Sequence, residues 1–351
     1  MVNADSSRRD FLKTSAAAAG AALGSLASAQ AEPVDTAKIL NFNPKMGYRP
    51  LGKTACMISE VSLGGHGGQC VEDRLPVLQR AMELGMNYVD NNIDSECDMY
   101  GAAMARCKSA RRERWFIGFA SWPEKITTEY ESQLTAEGMM KNIEARLKSY
   151  HTEMLDLWRP VGATWGPGQT SLGTLLMVSD KALDLVVSVF EKARQQGKVR
   201  FLGLSAHNPK VFRRVLNRYP QFSVIIFPYL FLTKELGGDS LLKLAQEKNV
   251  GVIGLKPFGA GTTFGIKPRE IQGRIDLRAH VLVKEMLRER RISAIIPGVN
   301  ISEQLDENVK GSYEKDLPHT PEDKQALQEC TRNYYATLTP DYRWLHQWQY
   351  V

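Results

Sequence analysis

The side chains best suited to moving protons or polarising oxygen stand at or just beyond the ends of short apolar runs. Asp90 closes the run 87–90, Tyr100 follows it, Arg159 comes directly after 154–158, and His207 lies just past 199–205. A carboxylate, a phenol, a guanidinium and an imidazole make an acid–base set if one scaffold gathers them. A lone Tyr titrates near about 10, so it needs neighbours before it works at neutral pH. Arg159 can polarise a carbonyl oxygen electrostatically, or it can be a salt-bridged loop residue. Lys256 ends another run, and Gly298 precedes a helix entry at Ser302 that continues through Gln304 and Asn308. Unpaired N–H groups and the dipole at such a helix start favour phosphate. His66 and Asp90 with Glu96 or Asp98 could be imagined around a metal, but they lack motif spacing, and no metal is expected. Cys56, Cys70, Cys97, Cys107 and Cys330 fit no zinc or iron–sulfur pattern.

The elements that must position these groups read as strand and helix alternating eight times. Short apolar strands are expected at 59–63, 87–90, 115–120, 154–158, 199–205, 224–227, 250–256 and 294–297. Helical spacing of apolar residues lies between them, at 71–84, 95–105, 136–149, 179–196, 209–217, 239–247 and 276–289, with a last helix at 302–310. The strands are continuous rather than alternating in character, which suits parallel strands covered on both faces. Eight such units predict an α/β fold of the (β/α)8 TIM-barrel type, with chemistry on the loops after the strand C-termini. Those loops begin at Gly64, Asp90, Ala120, Arg159, Ser205, Phe227, Lys256 and Pro297. A doubly wound sheet lacks support, because 64–68 is Gly-rich without the Gly-x-Gly-x-x-Gly spacing.

Ser7-Arg8-Arg9-Asp10-Phe11-Leu12-Lys13, an Ala-rich apolar stretch and small residues at Ala29 and Ala31 form a twin-arginine export pattern. Residues 1–31 are therefore expected to be a signal peptide and 32–45 a linker. The barrel is expected over 46–317, with a C-terminal helical extension at 318–351. Export makes the twin-arginine machinery a partner and the periplasm or the exterior the destination. A net charge of +6 without a dense basic block argues against nucleic acid, and no run is long enough for a stable membrane span.

Several of these segments, in order, resemble the aldo-keto reductase family. Tyr48–Thr54 followed by Ile58–Gly65 is similar to its opening hairpin and first strand, and Gly197–Ser205 to its fifth strand. Gly251–Gly261 resembles strand seven of one subgroup, and Ile296–Asn308 the cofactor-binding end. The resemblance spans about residues 46–310. It implies nicotinamide-dependent reduction of a carbonyl or oxidation of an alcohol, with NADP or NAD as cofactor. The family's tetrad is Asp, Tyr, Lys and His. Asp90 matches. Ser95 stands where the Tyr is expected, Ala120 where the Lys is, and Val161 where the His is. Tyr100 is either a displaced catalytic Tyr or a core residue of the following helix. The resemblance gives Asp90 a catalytic position, Tyr100 is the candidate catalytic phenol beside it, and Arg159 is the candidate substrate-binding group that could polarise a carbonyl in place of the His. It gives Ser205, His207, Asn208, Lys256, Gly298, Ser302, Gln304 and Asn308 to the cofactor. The Gln expected on the nicotinamide amide is Ile226. The loop 256–271, with glycines as hinges, is expected to close over the dinucleotide. Two functions follow: an oxidoreductase with a remodelled site, or a non-catalytic barrel that binds a ligand or partner.

Overall fold

The computed structural model describes residues 35–64, 70–107, 109, 111–121, 135–162, 179–206, 208–267 and 274–351. Strand β1 (Tyr48–Pro50) and β2 (Met57–Ser59) form an antiparallel hairpin. Eight parallel strands follow in chain order around one sheet: β3 (Leu63–Gly64), β4 (Tyr88–Asn91), β5 (Phe116–Ser121), β6 (Leu155–Gly162), β7 (Val199–Ala206), β8 (Phe222–Pro228), β9 (Gly251–Leu255) and β10 (Ala294–Ile296). Parallel bridges Val61↔Ile295 and Gly64↔Gly298 join the last strand to the first and close the barrel. At that junction Ser62 N donates to Ile295 O (3.0 Å) and Ile295 N to Glu60 O (2.9 Å).

The expected first strand over 59–63 is divided. Ser59 ends the hairpin, with its N–H held by Asn87 Oδ1 at 2.8 Å, and the barrel strand itself is Leu63–Gly64. The reason is Glu60, a buried carboxylate paired with Arg49 at 2.6 Å and hydrogen-bonded by Ser312 Oγ at 2.6 Å. Satisfying that charge turns the chain between the two strands. Arg49 also donates to the carbonyls of Glu289 (2.8 Å), Ile292 (2.6 Å) and Leu287, so one guanidinium ties the hairpin to the chain before β10.

The barrel interior is apolar from its base upward. Leu51 and Ile58 of the hairpin pack on Tyr88, Phe116, Leu157, Val224, Ile253 and Ala294, which lie near the strand starts. The hairpin therefore plugs the end of the barrel opposite the strand C-termini. Each such aliphatic side chain contributes about 1.5–3 kcal/mol of burial. The outer ring comprises α1 (Val71–Glu83), α2 (Asp94–Arg106), α3 (Ala136–Ser149), α4 (Asp180–Gln195), α5 (Pro209–Arg218), α6 (Leu241–Glu247), α7 (Ala279–Leu287) and α8 (Ser302–Glu314). Polar residues start several of these helices: Ser179, Asn208 and Ser240 each accept a first-turn N–H.

Beyond α8, α9 (Pro321–Thr337) lies against a 3-10 turn at Gly259–Phe264, the loop that follows β9. Thr337 Oγ1 donates to Thr262 O at 2.9 Å. Gly259, at φ 55°, leaves room for Tyr334; a Cβ there would come within 3.3 Å of the ring. A second 3-10 segment, Pro340–Trp348, buries Leu345 and Trp348. The Trp348 ring stacks on Phe227 at 5.0 Å and meets Phe212 edge-on at 5.9 Å. The backbone beyond it forms a parallel bridge, Lys234↔Tyr350.

Candidate active site

The inward-facing side chains of alternate strands share one layer at the barrel mouth, as barrel geometry requires. Asp90 of β4 and Arg159 of β6 meet in that layer. Arg159 Nε donates to Asp90 Oδ1 at 2.9 Å and Nη2 to Oδ2, a two-pronged ion pair with both side chains buried. The pair spans β5, and β5 lets it do so. Asp90 lies beside Gly118 and Arg159 beside Ala120, so no large side chain stands between them. An added Cβ on Gly118 would fall 2.3 Å from the Tyr88 hydroxyl and 2.7 Å from Asp90 Oδ1. Gly118→Ala should therefore lower stability by about 2–3 kcal/mol through overpacking, read from a urea midpoint. A neutral result would mean that Tyr88 and Asp90 do not meet there.

Arg159 has little left for a ligand. Beyond Asp90 it donates to Ser205 Oγ (2.8 Å) and to Asn91 O (3.0 Å), so four of its five N–H groups are taken. Tyr88 Oη donates to Asp90 Oδ1 at 2.8 Å, and Tyr150 Oη donates to Asn91 Oδ1. Burial raises the Asp90 carboxyl above its ordinary value despite the adjacent guanidinium. Burial also pushes the Tyr88 phenol well above the usual tyrosine value.

Tyr100 is set apart from this cluster by its hydrogen bonds. It lies within α2, fully buried, and donates to Gly64 O at 3.1 Å. Arg74 Nη1 donates to its oxygen at 3.4 Å, with the guanidinium 5.5 Å from the ring centre. Burial raises its phenol too, with Arg74 opposing. Tyr100 thus packs α2 against α1 and the end of β3. Gly101 beside it explains the fit: a Cβ there would strike the Ser149 carbonyl at 1.8 Å, so α2 approaches α3 closely.

Glu96, in the first turn of α2, is a second buried carboxylate near the mouth. Its Oε2 accepts from Asn92 N at 2.7 Å. Its field reaches Asp90, Arg159, Tyr100, Tyr150 and Lys256. Lys256 follows β9 at φ 53° and is half-buried. Desolvation pushes its ammonium down to about 8, with Glu96 opposing.

A cavity of about 300 Å³ opens beside the mouth, at the C-terminal end of β10. Phe258, Phe264, Arg274, Gly298, Asn300, Gln304, Glu307 and Asn308 are among the residues that line it. Nothing stands within 4 Å of where a Gly298 Cβ would be. Asn300 Nδ2 is buried there without a hydrogen-bond partner. Glu307 is neutralised by His280 and Lys310, each at 2.6 Å, and Asp276 by Arg278. Arg274 makes no ion pair among the described residues, and only its backbone carbonyl is engaged, by Gln304 Nε2 at 2.7 Å.

Of the expected cofactor residues, Gly298, Gln304 and Asn308 line this cavity, and Ser302 does not. Ser302 Oγ is turned to Glu303 Oε2 at 3.2 Å. Gln304 caps its own helix, since its Oε1 accepts from Asn300 N at 2.7 Å. The amides nearest the start of α8 are thereby partly spent, which reduces the anion site expected there. Asn208 caps α5 by accepting from Lys210 N at 3.0 Å. Ser205 accepts from Arg159 and keeps its own hydroxyl proton to donate. His207, with His66, lies outside the described residues. The expected hinge loop is pinned over Gly259–Phe264 by α9. Sequence reasoning passed over Tyr88, although Tyr88-x-Asp90 puts both on one strand face, and over Arg274, which carried no signal. No cluster able to hold a metal occurs among the described residues.

The chain belongs to the aldo/keto reductase family, whose model matches residues 61–280. A twin-arginine translocation signal matches residues 5–25. "Uncharacterized oxidoreductase YqkF" of Bacillus subtilis is 23% identical over 330 residues, covering 82% of this chain and 97% of that protein. L-galactose dehydrogenase of Arabidopsis thaliana is 22% identical over 319 residues, covering 81% and 93%. Among solved structures, the holo form of aldo-keto reductase AKR11C1 from Bacillus halodurans superposes with a TM-score of 0.60. It shares 19% identity and covers 81% of this chain and 96% of its own. The fold is thus the family's (β/α)8 barrel, and the protein is an oxidoreductase carrying a twin-arginine signal.

Proposed function

We propose that the exported protein is a nicotinamide-dinucleotide-dependent oxidoreductase acting on a small carbonyl or alcohol compound from a remodelled site. The observation that carries this is the cavity at Gly298. Its volume suits the adenosine end of a dinucleotide, with Phe258 and Phe264 for the base and Asn300 Nδ2 as an unspent donor. Arg274 is the residue assigned to a ribose 2′-phosphate, which favours NADP over NAD. Ser205 and Asn208 would hold the amide end. Bound there, a reduced nicotinamide would supply hydride to the carbonyl carbon. Asp90, Tyr88 and Arg159 would form a fixed floor beneath the substrate rather than grip it.

Fluorescence titration of the mature protein with NADPH and NADH tests the reading. Arg274→Ala should weaken NADPH about tenfold and leave NADH within about twofold, as the loss of one charge-assisted hydrogen bond predicts. Absence of binding to either nucleotide would remove the proposal. A non-catalytic barrel is the second reading, favoured by the self-satisfied Asp90–Arg159 pair; binding without hydride transfer to any carbonyl would support it. Because a twin-arginine signal is associated with export of folded protein, the cofactor is expected to be loaded before export and carried within the barrel. Periplasm or exterior is the destination that follows.

A further inference from the structure

We propose that His280 makes the Gly298 cavity proton-sensitive: its charged imidazole, acting through Glu307, tightens the hold on a phosphate-bearing ligand, and its neutral form loosens it. The inference rests on the dinucleotide reading above and adds the regulation of that site.

Helices α7 and α8 meet at backbone level. A Cβ on Gly311 of α8 would fall 2.6 Å from the His280 carbonyl and 2.5 Å from Val283 Cβ. The bare Gly311 therefore lets α7 close on α8, one turn beyond Glu307. That approach sets His280 Nδ1 2.6 Å from Glu307 Oε1. The nitrogen donates there, because an ionised carboxylate only accepts. Glu307 is buried and lines the cavity, as does Ala279 beside His280. His280 is thus a positioning residue that acts on the cavity from behind its wall.

The surrounding charges are matched. From α8, His280 faces Glu307, with Lys310 on the other carboxylate oxygen at 2.6 Å, and Glu314. From α9 it faces Asp323, which is paired with Lys284 of α7 at 2.7 Å. Arg278, two residues back, is taken by Asp276 and Glu329, each at 2.6 Å. Among the described residues lining the cavity, Arg274, Asp276 and Glu307 carry charge. Arg278 offsets Asp276 and Lys310 offsets Glu307, which leaves Arg274. A proton on the second ring nitrogen of His280 adds another positive charge behind the wall. An anion in so small a cavity lies within about a Debye length, 8–10 Å, of it. The hydrogen bond to Glu307 raises the imidazole above its ordinary value, with burial opposing. Such a group contributes to anion binding below its raised value, and the contribution is lost as pH rises through it. Acidic surroundings would then hold an exported protein's cofactor in place, and alkaline ones release it.

Two measurements on the full mature protein test this. In NMR titration of 13C-histidine-labelled protein, with His280→Gln identifying the signal, the His280 midpoint should rise by about 0.7 pH unit on adding NADPH. This is a fivefold coupling, and coupling between proton and ligand is reciprocal. Fluorescence titration with NADPH reads the converse. The ratio of variant to wild-type Kd cancels the titration of the ligand's own phosphate. For His280→Gln that ratio should be about fivefold larger at pH 6 than at pH 9. His280→Arg, charged throughout, carries the same test should the Gln variant fold poorly: its ratio should be near one at pH 6 and about fivefold lower at pH 9. His319→Gln, at the neighbouring contact of α7 with α9, should give a ratio independent of pH. Flat ratios for both His280 variants, a midpoint that NADPH does not move, or an equal effect in His319→Gln would overturn the proposal. A midpoint in the empty protein at or below that of a free imidazole would refute the pairing with Glu307. Failure of wild type to bind any nucleotide would instead refute the dinucleotide reading, and this regulation with it.

Discussion

Arg159→Met should lower folding stability by about 3–5 kcal/mol, because it leaves the Asp90 carboxylate buried with no cation. Among the described residues Tyr88 Oη alone would remain to hydrogen-bond it. The cost should depend on pH with a definite sign. Burial already raises Asp90 above its ordinary value with Arg159 present, and removing the guanidinium raises it further. A carboxyl raised on folding stabilises below its unfolded value, and that contribution is lost as pH rises through the folded value. The variant should therefore be least impaired in acid and most impaired at and above neutrality, as read from urea midpoints across pH. Asp90→Asn in the same background should recover most of the loss, since no charge then remains buried. A single-variant cost below about 1 kcal/mol at neutral pH would show that the pair is not held as described.

Trp348→Ala should cost about 3–5 kcal/mol, the range for deleting a large buried aromatic. The ring is fully enclosed, stacked on Phe227 and edge-on to Phe212, and its carbonyl accepts from Thr233 Oγ1 at 3.0 Å. Stacking adds about 0.5–1.5 kcal/mol beyond burial, so Trp348→Phe should keep most of the stability. The loss should also loosen the loop after β9, because α9 and the Pro340–Trp348 segment together cover that side of the rim. Thermal unfolding of both variants measures the effect. Equal midpoints for wild type and Trp348→Ala would mean that the tail is not docked in solution.

Much of the scaffold was legible because burial on both faces leaves a strong mark in sequence. The runs ending at Asp90, Ser205 and Lys256 each stop within a residue of the observed strand end, whereas β6 runs on past Arg159 to Gly162, so Arg159 lies within a strand and not at the start of a loop. The strand at 59–63 was misjudged because nothing local distinguishes Glu60 as a buried ion-pair partner; its cation, Arg49, lies across the hairpin. The site was harder to read. That Arg159 meets Asp90 depends on three strands at once, and on what Gly118 and Ala120 lack between them. Tyr100 could be either displaced or internal by spacing alone. Its placement came from the close approach at Gly101, where a helix backbone sits against the Ser149 carbonyl. Glu96 and Arg274 carry no motif and gain significance only from what lies opposite them.

The barrel is unequally joined around its circumference. β6 and β7 run for eight residues each, whereas β3 has two and β10 three, and two single-residue bridges complete the junction between those short strands. Opening a sheet costs least where fewest backbone pairs must part, so thermal breathing should begin at this seam. Gly298 belongs both to the seam, through its bridge to Gly64, and to the cavity wall. A ligand seated at Gly298 would then act as a rivet across the weakest joint. Its binding energy would add to the cost of local opening, because a ligand that prefers the closed form stabilises that form. Filled and empty barrels would consequently differ in resistance to proteolytic attack along one line, while the remainder of the ring behaved alike.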